Sequence, residues 1–264
     1  MRRGPLGRIL WALYLVLVMG FLLAPVAFVV FYSFNDASMF RLPVRAYSLR
    51  WYREFFASDQ FQPALRATLM IAAVVVPFTL LVALPTAHLM ARGKGQAWLG
   101  AALTAPVVVP GVVTGIAFLG LFTMLGIGDA LTRLVIALSI FCLPFSLRAL
   151  NASYAGLDRR PEEAARDLGA TPLRAYLHVT LPQLKAGLLA GAIFAFVEAT
   201  DNFSIAVFLA DTRTKTLPIA AYEHIRDFDD PTVAAMATVL TLVALVLVLV
   251  LEKVIGLEKL IRHG

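Results

Sequence analysis

The chain has 264 residues, of which 60% are hydrophobic and only 15% charged, and its mean hydropathy is +0.81. A soluble domain is roughly half apolar and about a quarter charged, so this composition excludes a water-soluble globular protein and favours a membrane protein. The net charge of +6 then reflects membrane topology rather than nucleic-acid binding, and the single cysteine, Cys142, excludes an internal disulfide.

Six segments are apolar and long enough to cross a bilayer, which takes about 20 residues. They are Ile9–Phe34, Ala67–Met90, Leu103–Leu125, Leu134–Leu150, Ala186–Leu209 and Val233–Ile255. The first exceeds the apolar core of about 7–15 residues that a signal peptide has, so we expect it to be retained. The pattern predicts an all-α membrane protein with six transmembrane helices, forming a single domain over residues 1–264.

The distribution of basic residues predicts the orientation of these spans. Arg2, Arg3 and Arg8 precede the first span, so the positive-inside rule predicts a cytoplasmic N-terminus. Six spans then bring the C-terminus to the same side. Of the three long connections, residues 35–66 and 210–232 lie outside, and residues 151–185 lie in the cytoplasm.

Prolines are frequent within the predicted spans: Pro25, Pro77, Pro85, Pro106, Pro110 and Pro144. Each removes a backbone donor and bends its helix. Ordinary kinks in a packed bundle explain any one of them, whereas six together favour a bundle that moves. In the third span, small residues up to Gly115 let helices approach closely or let the backbone face a cavity.

The cytoplasmic connection contains a short helix with clear boundary signals. Asp158 is a suitable N-cap, Pro161 fits the first turn, and Gly169 ends the helix in a left-handed conformation. A second short helix is expected from Thr171 towards His178. On the first helix, Ala164, Ala165 and Leu168 share a shallow face suited to a groove of another protein, and Glu163 beside it can accept a charge-assisted hydrogen bond.

These residues also carry a family resemblance. Glu163-Ala164-Ala165, Gly169 and the later Leu181-Pro182 resemble the EAA loop of permeases in type I ABC importers. The resemblance implies that Glu163, Ala164, Ala165, Leu168 and Gly169 form a coupling helix that docks into a cleft of a cytoplasmic ATPase. It also implies an ABC ATPase dimer, a second homologous permease subunit and a periplasmic solute-binding protein as partners. A heterodimer of permeases is expected, with a homodimer as the alternative.

No chemistry of its own is expected from this chain. It has no G-x-x-x-x-G-K-[ST] motif, so ATP is expected on the partner subunit. The four histidines, His88, His178, His224 and His263, are dispersed and predict no metal site. No nucleophile–base arrangement is visible, so we expect neither an enzyme nor a bound cofactor.

The fifth span carries three polar residues, Glu198, Asp201 and Asn202, whose spacing places them on one face of a continuous helix. Because a carboxylate in hydrocarbon is costly, such a face either lines a substrate path or makes structural hydrogen bonds to a paired helix. The loop that follows, from Asp211 to Tyr222, resembles that of spermidine/putrescine-type permeases. In those relatives an Asp-Asp pair precedes Phe, where this chain has Asp201-Asn202-Phe203.

The function that these patterns predict is a channel-forming permease subunit in the bacterial inner membrane. It would move a small solute, such as a polyamine, from a periplasmic binding protein into the cytoplasm by alternating access. The alternative is a secondary transporter driven by an ion gradient, with Glu198 and Asp201 as the ion site. That alternative leaves the EAA-like loop unexplained, and the chain shows no internal repeat of the kind such transporters often have.

Overall fold

The computed structural model describes residues 5–38, 43–93 and 97–255. Within these ranges the chain is helical, with no strand and one isolated bridge between Asn35 and Tyr47. The prediction of an all-α fold is therefore confirmed. Arg2 and Arg3, on which the predicted orientation partly depends, lie outside the described residues.

The described part of the chain contains thirteen α-helices and one π-helical segment. These are α1 (Pro5–Tyr32), α2 (Arg50–Ala57), α3 (Phe61–Arg92), α4 (Ala97–Val108), α5 (Gly111–Met124), α6 (Ala130–Ala155), α7 (Arg160–Asp167), α8 (Pro172–Ala175), the π-helical segment Tyr176–Thr180, α9 (Leu181–Gln183), α10 (Lys185–Asp201), α11 (Phe203–Leu209), α12 (Leu217–Asp227) and α13 (Thr232–Ile255).

Within the described ranges, four helices are long and apolar enough to cross a membrane by themselves: α1, α3, α6 and α13. Two bent pairs bring the number to six if each pair counts as one span. In one pair, α4 and α5 meet at 107°, because Pro110 has no N–H to donate and disfavours helical backbone at the residue before it. The other pair joins Pro172–Gln183 to α10 at 69°.

The residue contacts divide the chain into two units, and the first comprises Met1–Gln62 and Ala221–Val243. Its buried residues include Trp51 and Phe55 on α2, a short helix of eight residues in the first long connection. Trp51 donates a hydrogen bond from Nε1 to the carbonyl of Asn35 at 2.6 Å. In contrast, α1 exposes its apolar side chains along most of its length, as a helix surrounded by lipid or another subunit would.

The second unit comprises Pro63–Ala220 and Ala244–Gly264, and α6 lies in its core. Cys142 on α6 and Ala195 on α10 are fully buried there. Ser146 donates a hydrogen bond from Oγ to the carbonyl of Gly191 at 2.9 Å, so α6 and α10 approach closely where α10 has a glycine. This packing holds α10, whose C-terminal end carries Glu198 and Asp201.

Candidate functional site

The helix α7 begins and ends near the predicted positions. Gly169 has a φ of +91° directly after its C-cap, so the predicted glycine stop is confirmed. The prediction of Asp158 as the N-cap is wrong by one residue, since Arg159 occupies that position without a side-chain capping bond. Asp158 instead accepts a hydrogen bond from the backbone N–H of Arg160 at 3.1 Å.

One surface of α7 is open to solvent in the isolated chain. Glu163, Ala164 and Gly169 are exposed, and the side chain of Leu168 is 90% exposed. Ala165 is only half-buried, and Leu168 is the C-cap rather than a residue of the helix, so the predicted common face is only approximate. Leu168 is therefore a single exposed leucine at the end of a mostly charged helix.

The opposite side of α7 carries a buried carboxylate that sequence reasoning missed. Glu162 is 5% exposed. Its Oε2 atom accepts a hydrogen bond from Thr180 Oγ1 at 2.5 Å, and the guanidinium of Arg92 also donates to it in an ion pair. Burial raises the pKa of Glu162, but the hydrogen bonds from Thr180 and Arg92 outweigh burial and hold its pKa below its ordinary value. Glu162 is therefore a paired anion.

A second group of hydrogen bonds joins α3 and the π-helical segment to α6. Tyr154 Oη is 3.2 Å from His88 Nδ1 and 3.4 Å from Tyr176 Oη. We refer to the following residues together as the anchor cluster: His88, Arg92, Tyr154, Glu162, Tyr176 and Thr180. For the ion pair of Arg92 with Glu162, the only sequence signal was a basic residue at the end of a span and an acid in the next cytoplasmic connection. That signal does not identify partners 70 positions apart.

At its C-terminal end, α10 stops at Asp201, and the expectation of one continuous helical face is wrong at Asn202. Asn202 has φ −72° and ψ 95°, which is outside the helical region. Its Oδ1 atom accepts a hydrogen bond from the backbone N–H of Ile205 at 3.0 Å, so it is the N-cap of α11. Asparagine is among the best N-cap residues, which explains why the helix restarts here.

A cavity of about 280 Å³ lies at this break. It is lined by Gly111, Phe141, Val197, Glu198, Asp201, Asn202, Phe203 and Ser204. The structure thus brings together all three predicted residues of the fifth span. Within the described ranges, the carboxylates of Glu198 and Asp201 form no hydrogen bond or ion pair.

The glycines of the third predicted span lie beside this cavity. A Cβ atom at Gly111 would lie 2.8 Å from Ser204 Cβ, and one at Gly115 would lie 3.2 Å from Ile205 Cα. Both distances are shorter than ordinary carbon contacts, so only glycine lets α5 and α11 pack this closely. The expected close approach of helices is therefore found between α5 and α11, and Gly111 also faces the cavity.

Comparison with known sequences identifies relatives over nearly the whole chain. Residues 75–256 match the family described as "Binding-protein-dependent transport system inner membrane component". The putrescine transport system permease protein PotI of Escherichia coli is 31% identical over 250 residues, which cover 91% of this chain and 89% of the relative. The spermidine/putrescine transport system permease protein PotC of Escherichia coli is 27% identical over 246 residues, covering 92% and 93%.

Comparison with solved structures shows the same fold. The chain resembles a bacterial ABC transporter involved in the import of the acidic polysaccharide alginate, with a TM-score of 0.66 and 17% identity over 97% of this chain and 98% of the other. An alginate ABC transporter in complex with its alginate pentasaccharide-bound periplasmic protein gives a TM-score of 0.64 at 18% identity, over 93% of each chain. The predicted ABC importer permease fold is confirmed.

Proposed function

The chain belongs to the family of binding-protein-dependent transport system inner membrane components, the permease subunits of ABC importers, and on this premise we propose that it imports polyamines or similar small amines. ATP hydrolysis on a separate subunit would drive the transport by alternating access. The chain itself would then be neither an enzyme nor the holder of a cofactor. Its termini would lie in the cytoplasm, and residues 1–264 would form one transmembrane domain.

The proposed assembly contains three kinds of partner. They are an ABC ATPase dimer, a second homologous permease that makes a heterodimer, and a periplasmic solute-binding protein. Support for the last comes from the solved alginate transporter in complex with its periplasmic protein. The exposed apolar helix α1 supports a further transmembrane partner or lipid around it.

The exposed surface of α7 supports the proposed docking of the ATPase. Glu163, Ala164, Ala165, Leu168 and Gly169 were assigned to the coupling helix from the EAA-like pattern. Four of these five residues are exposed, and Ala165 is half-buried. A short, capped helix with an exposed leucine and a carboxylate offers both an apolar anchor and a charge-assisted hydrogen bond.

The observation that carries the amine assignment is the pair of carboxylates in the cavity, which have no hydrogen-bond or ion-pair partner among the described residues. Glu198 and Asp201 both line it, and carboxylates without a protein partner in a membrane domain attract a cation. Phe141 and Phe203 line the same cavity and can face an ammonium group. A cavity of about 280 Å³ suits a small ligand rather than a polysaccharide.

Uptake of radiolabelled putrescine and spermidine by the complete transporter in proteoliposomes tests the amine assignment. We expect Glu198→Gln and Asp201→Asn each to raise KM by about tenfold, because a charge-assisted hydrogen bond contributes about 1.5–3 kcal/mol. Glu54→Gln, at an exposed i,i+4 pair with Arg50, is the matched control and should leave KM unchanged.

The alternative, an ion-gradient transporter, makes the opposite prediction in the same vesicles. Uptake that requires a proton or sodium gradient but no ATPase would overturn the proposal. Unchanged KM in both carboxamide variants would remove Glu198 and Asp201 from the solute path.

Binding of the purified ATPase to the reconstituted permease tests the docking surface. We expect Leu168→Asp to weaken the binding by about 30-fold, which corresponds to a hot spot of about 2 kcal/mol. Leu49→Asp makes the same chemical change at a leucine that is 57% exposed in the connection before α2. This control should bind the ATPase normally. Equal binding by all three proteins would exclude the α7 surface as the docking site.

A further inference from the structure

Glu162 connects three elements through one carboxylate oxygen. It lies on α7, Arg92 is the last residue of α3, and Thr180 is the last residue of the π-helical segment. Glu162 and Thr180 are both buried, at 5% and 0% exposure. The same helix therefore has one side open for a partner and the other side bound to the membrane helices.

The π-helical segment is followed by the three-residue helix α9 and then, after a bend of 69°, by α10. The backbone N–H of Leu184 donates to the carbonyl of Thr180 at 3.3 Å, and α10 begins at the next residue. Segments of π-helix are rare in proteins, and those that occur are often found at functional sites. The position of Thr180 thus links Glu162 to the start of the helix whose other end carries Glu198 and Asp201.

Geometry explains why α7 needs such a connection. It has only eight residues, too few for a helix to hold its place without tertiary contacts. Packed and hydrogen-bonded groups carry the displacement of such a helix to the elements that they join. The anchor cluster consists of such groups, since His88 and Tyr154 meet Tyr176 on the same segment that carries Thr180.

We propose that Glu162 is a positioning residue for transport, which ties the docking helix α7 to α3 through Arg92 and to α10 through Thr180. Displacement of α7 by the ATPase then moves both membrane helices together and reaches the cavity at the end of α10. This inference rests on the proposed docking of the ATPase to the opposite side of α7.

The test uses the complete transporter in proteoliposomes and compares Glu162→Gln, Thr180→Val and Thr180→Ser. The measured quantities are putrescine imported per ATP hydrolysed, basal ATP hydrolysis, and the amount of ATPase bound. We expect the putrescine imported per ATP to fall by about fivefold or more in Glu162→Gln and Thr180→Val. A factor of about five is the lower end of typical coupling between two sites. Thr180→Ser keeps the hydroxyl and should restore the native ratio, and basal hydrolysis and bound ATPase should not change.

Asp158→Asn is the matched control, because it neutralises an exposed acid that pairs with Arg160 in the same connection. Native import per ATP in both Glu162→Gln and Thr180→Val would overturn the inference. A parallel loss of bound ATPase would overturn it as well, since Glu162 would then only maintain the fold of α7. A failure of the docking proposal would be seen in a different experiment, because the Leu168→Asp variant would then bind the ATPase normally.

Discussion

Acids near the two ends of α10 are in opposite situations. Near its start, the carboxylate of Glu162 has two donors and is nearly inaccessible. At its far end, Glu198 and Asp201 line a cavity and, within the described residues, form no hydrogen bond or ion pair. All three residues belong to the same unit of the chain.

The difference separates a structural acid from a ligand-binding acid. A buried carboxylate that is fully paired holds elements together, and removal of one partner leaves an uncompensated charge. A carboxylate without a protein partner beside a cavity retains its capacity to bind a cation from outside the chain. The acidic residue type alone does not distinguish the two roles.

The largest effect is expected from a substitution that breaks the ion pair of Arg92 with Glu162, near the start of α10. We expect Arg92→Leu to lower the free energy of unfolding by about 3 kcal/mol, the lower end of the range for a broken buried pair, because Arg92 is 36% exposed. Thermal unfolding of the purified chain in detergent measures the change.

Glu198→Gln should leave the unfolding midpoint unchanged or raise it, since no partner within the described residues loses a contact. Arg50→Leu, which breaks an exposed pair with Glu54, should lower the unfolding midpoint much less than Arg92→Leu does. Similar losses in Arg92→Leu and Glu198→Gln would abolish the distinction between the two ends.

A smaller effect is expected at Asn202, where α10 ends and α11 begins. Asn202→Ala removes the N-cap of α11 and should cost about 1 kcal/mol of unfolding free energy. Asn202→Asp keeps a capping oxygen and adds a carboxylate to the cavity, as in the spermidine/putrescine-type pattern. Its KM for putrescine should fall severalfold while stability stays native. Lower affinity in Asn202→Asp would contradict a cationic ligand at this cavity.

The smallest expected effect is a pH dependence of stability from Glu162. Because the folded pKa of Glu162 lies below its ordinary value of 4.5, the unfolded chain takes up its proton first as pH falls. The stabilisation is complete above pH 4.5 and is lost as pH falls further through the folded pKa. Unfolding midpoints between pH 7 and pH 3 should therefore fall less steeply in Glu162→Gln than in the native chain. Parallel profiles would contradict a paired anion at Glu162.

Local patterns in the sequence determined the fold class, the C-terminal boundary of α7 and the polar residues of the fifth predicted span. Hydropathy reports which segments avoid water, and Gly169 is the residue that tolerates a φ of +91°, so both are readable without contacts. The resemblance of Glu163–Gly169 to the EAA loop indicated the family that the sequence comparison then showed.

Tertiary structure decided which acids are paired. Whether Glu162 or Glu163 faces Arg92 depends on how α7 packs against α3 and the π-helical segment, a contact between residues 70 positions apart. The interruption at Asn202 is a similar case, because asparagine occurs within helices as well as at caps. It becomes a cap here where α11 turns away to pack its Ser204 and Ile205 against the glycines of α5. Sequence supplies the polar groups and the apolar helices, and long-range packing assigns each polar group its partner or leaves it open to a ligand.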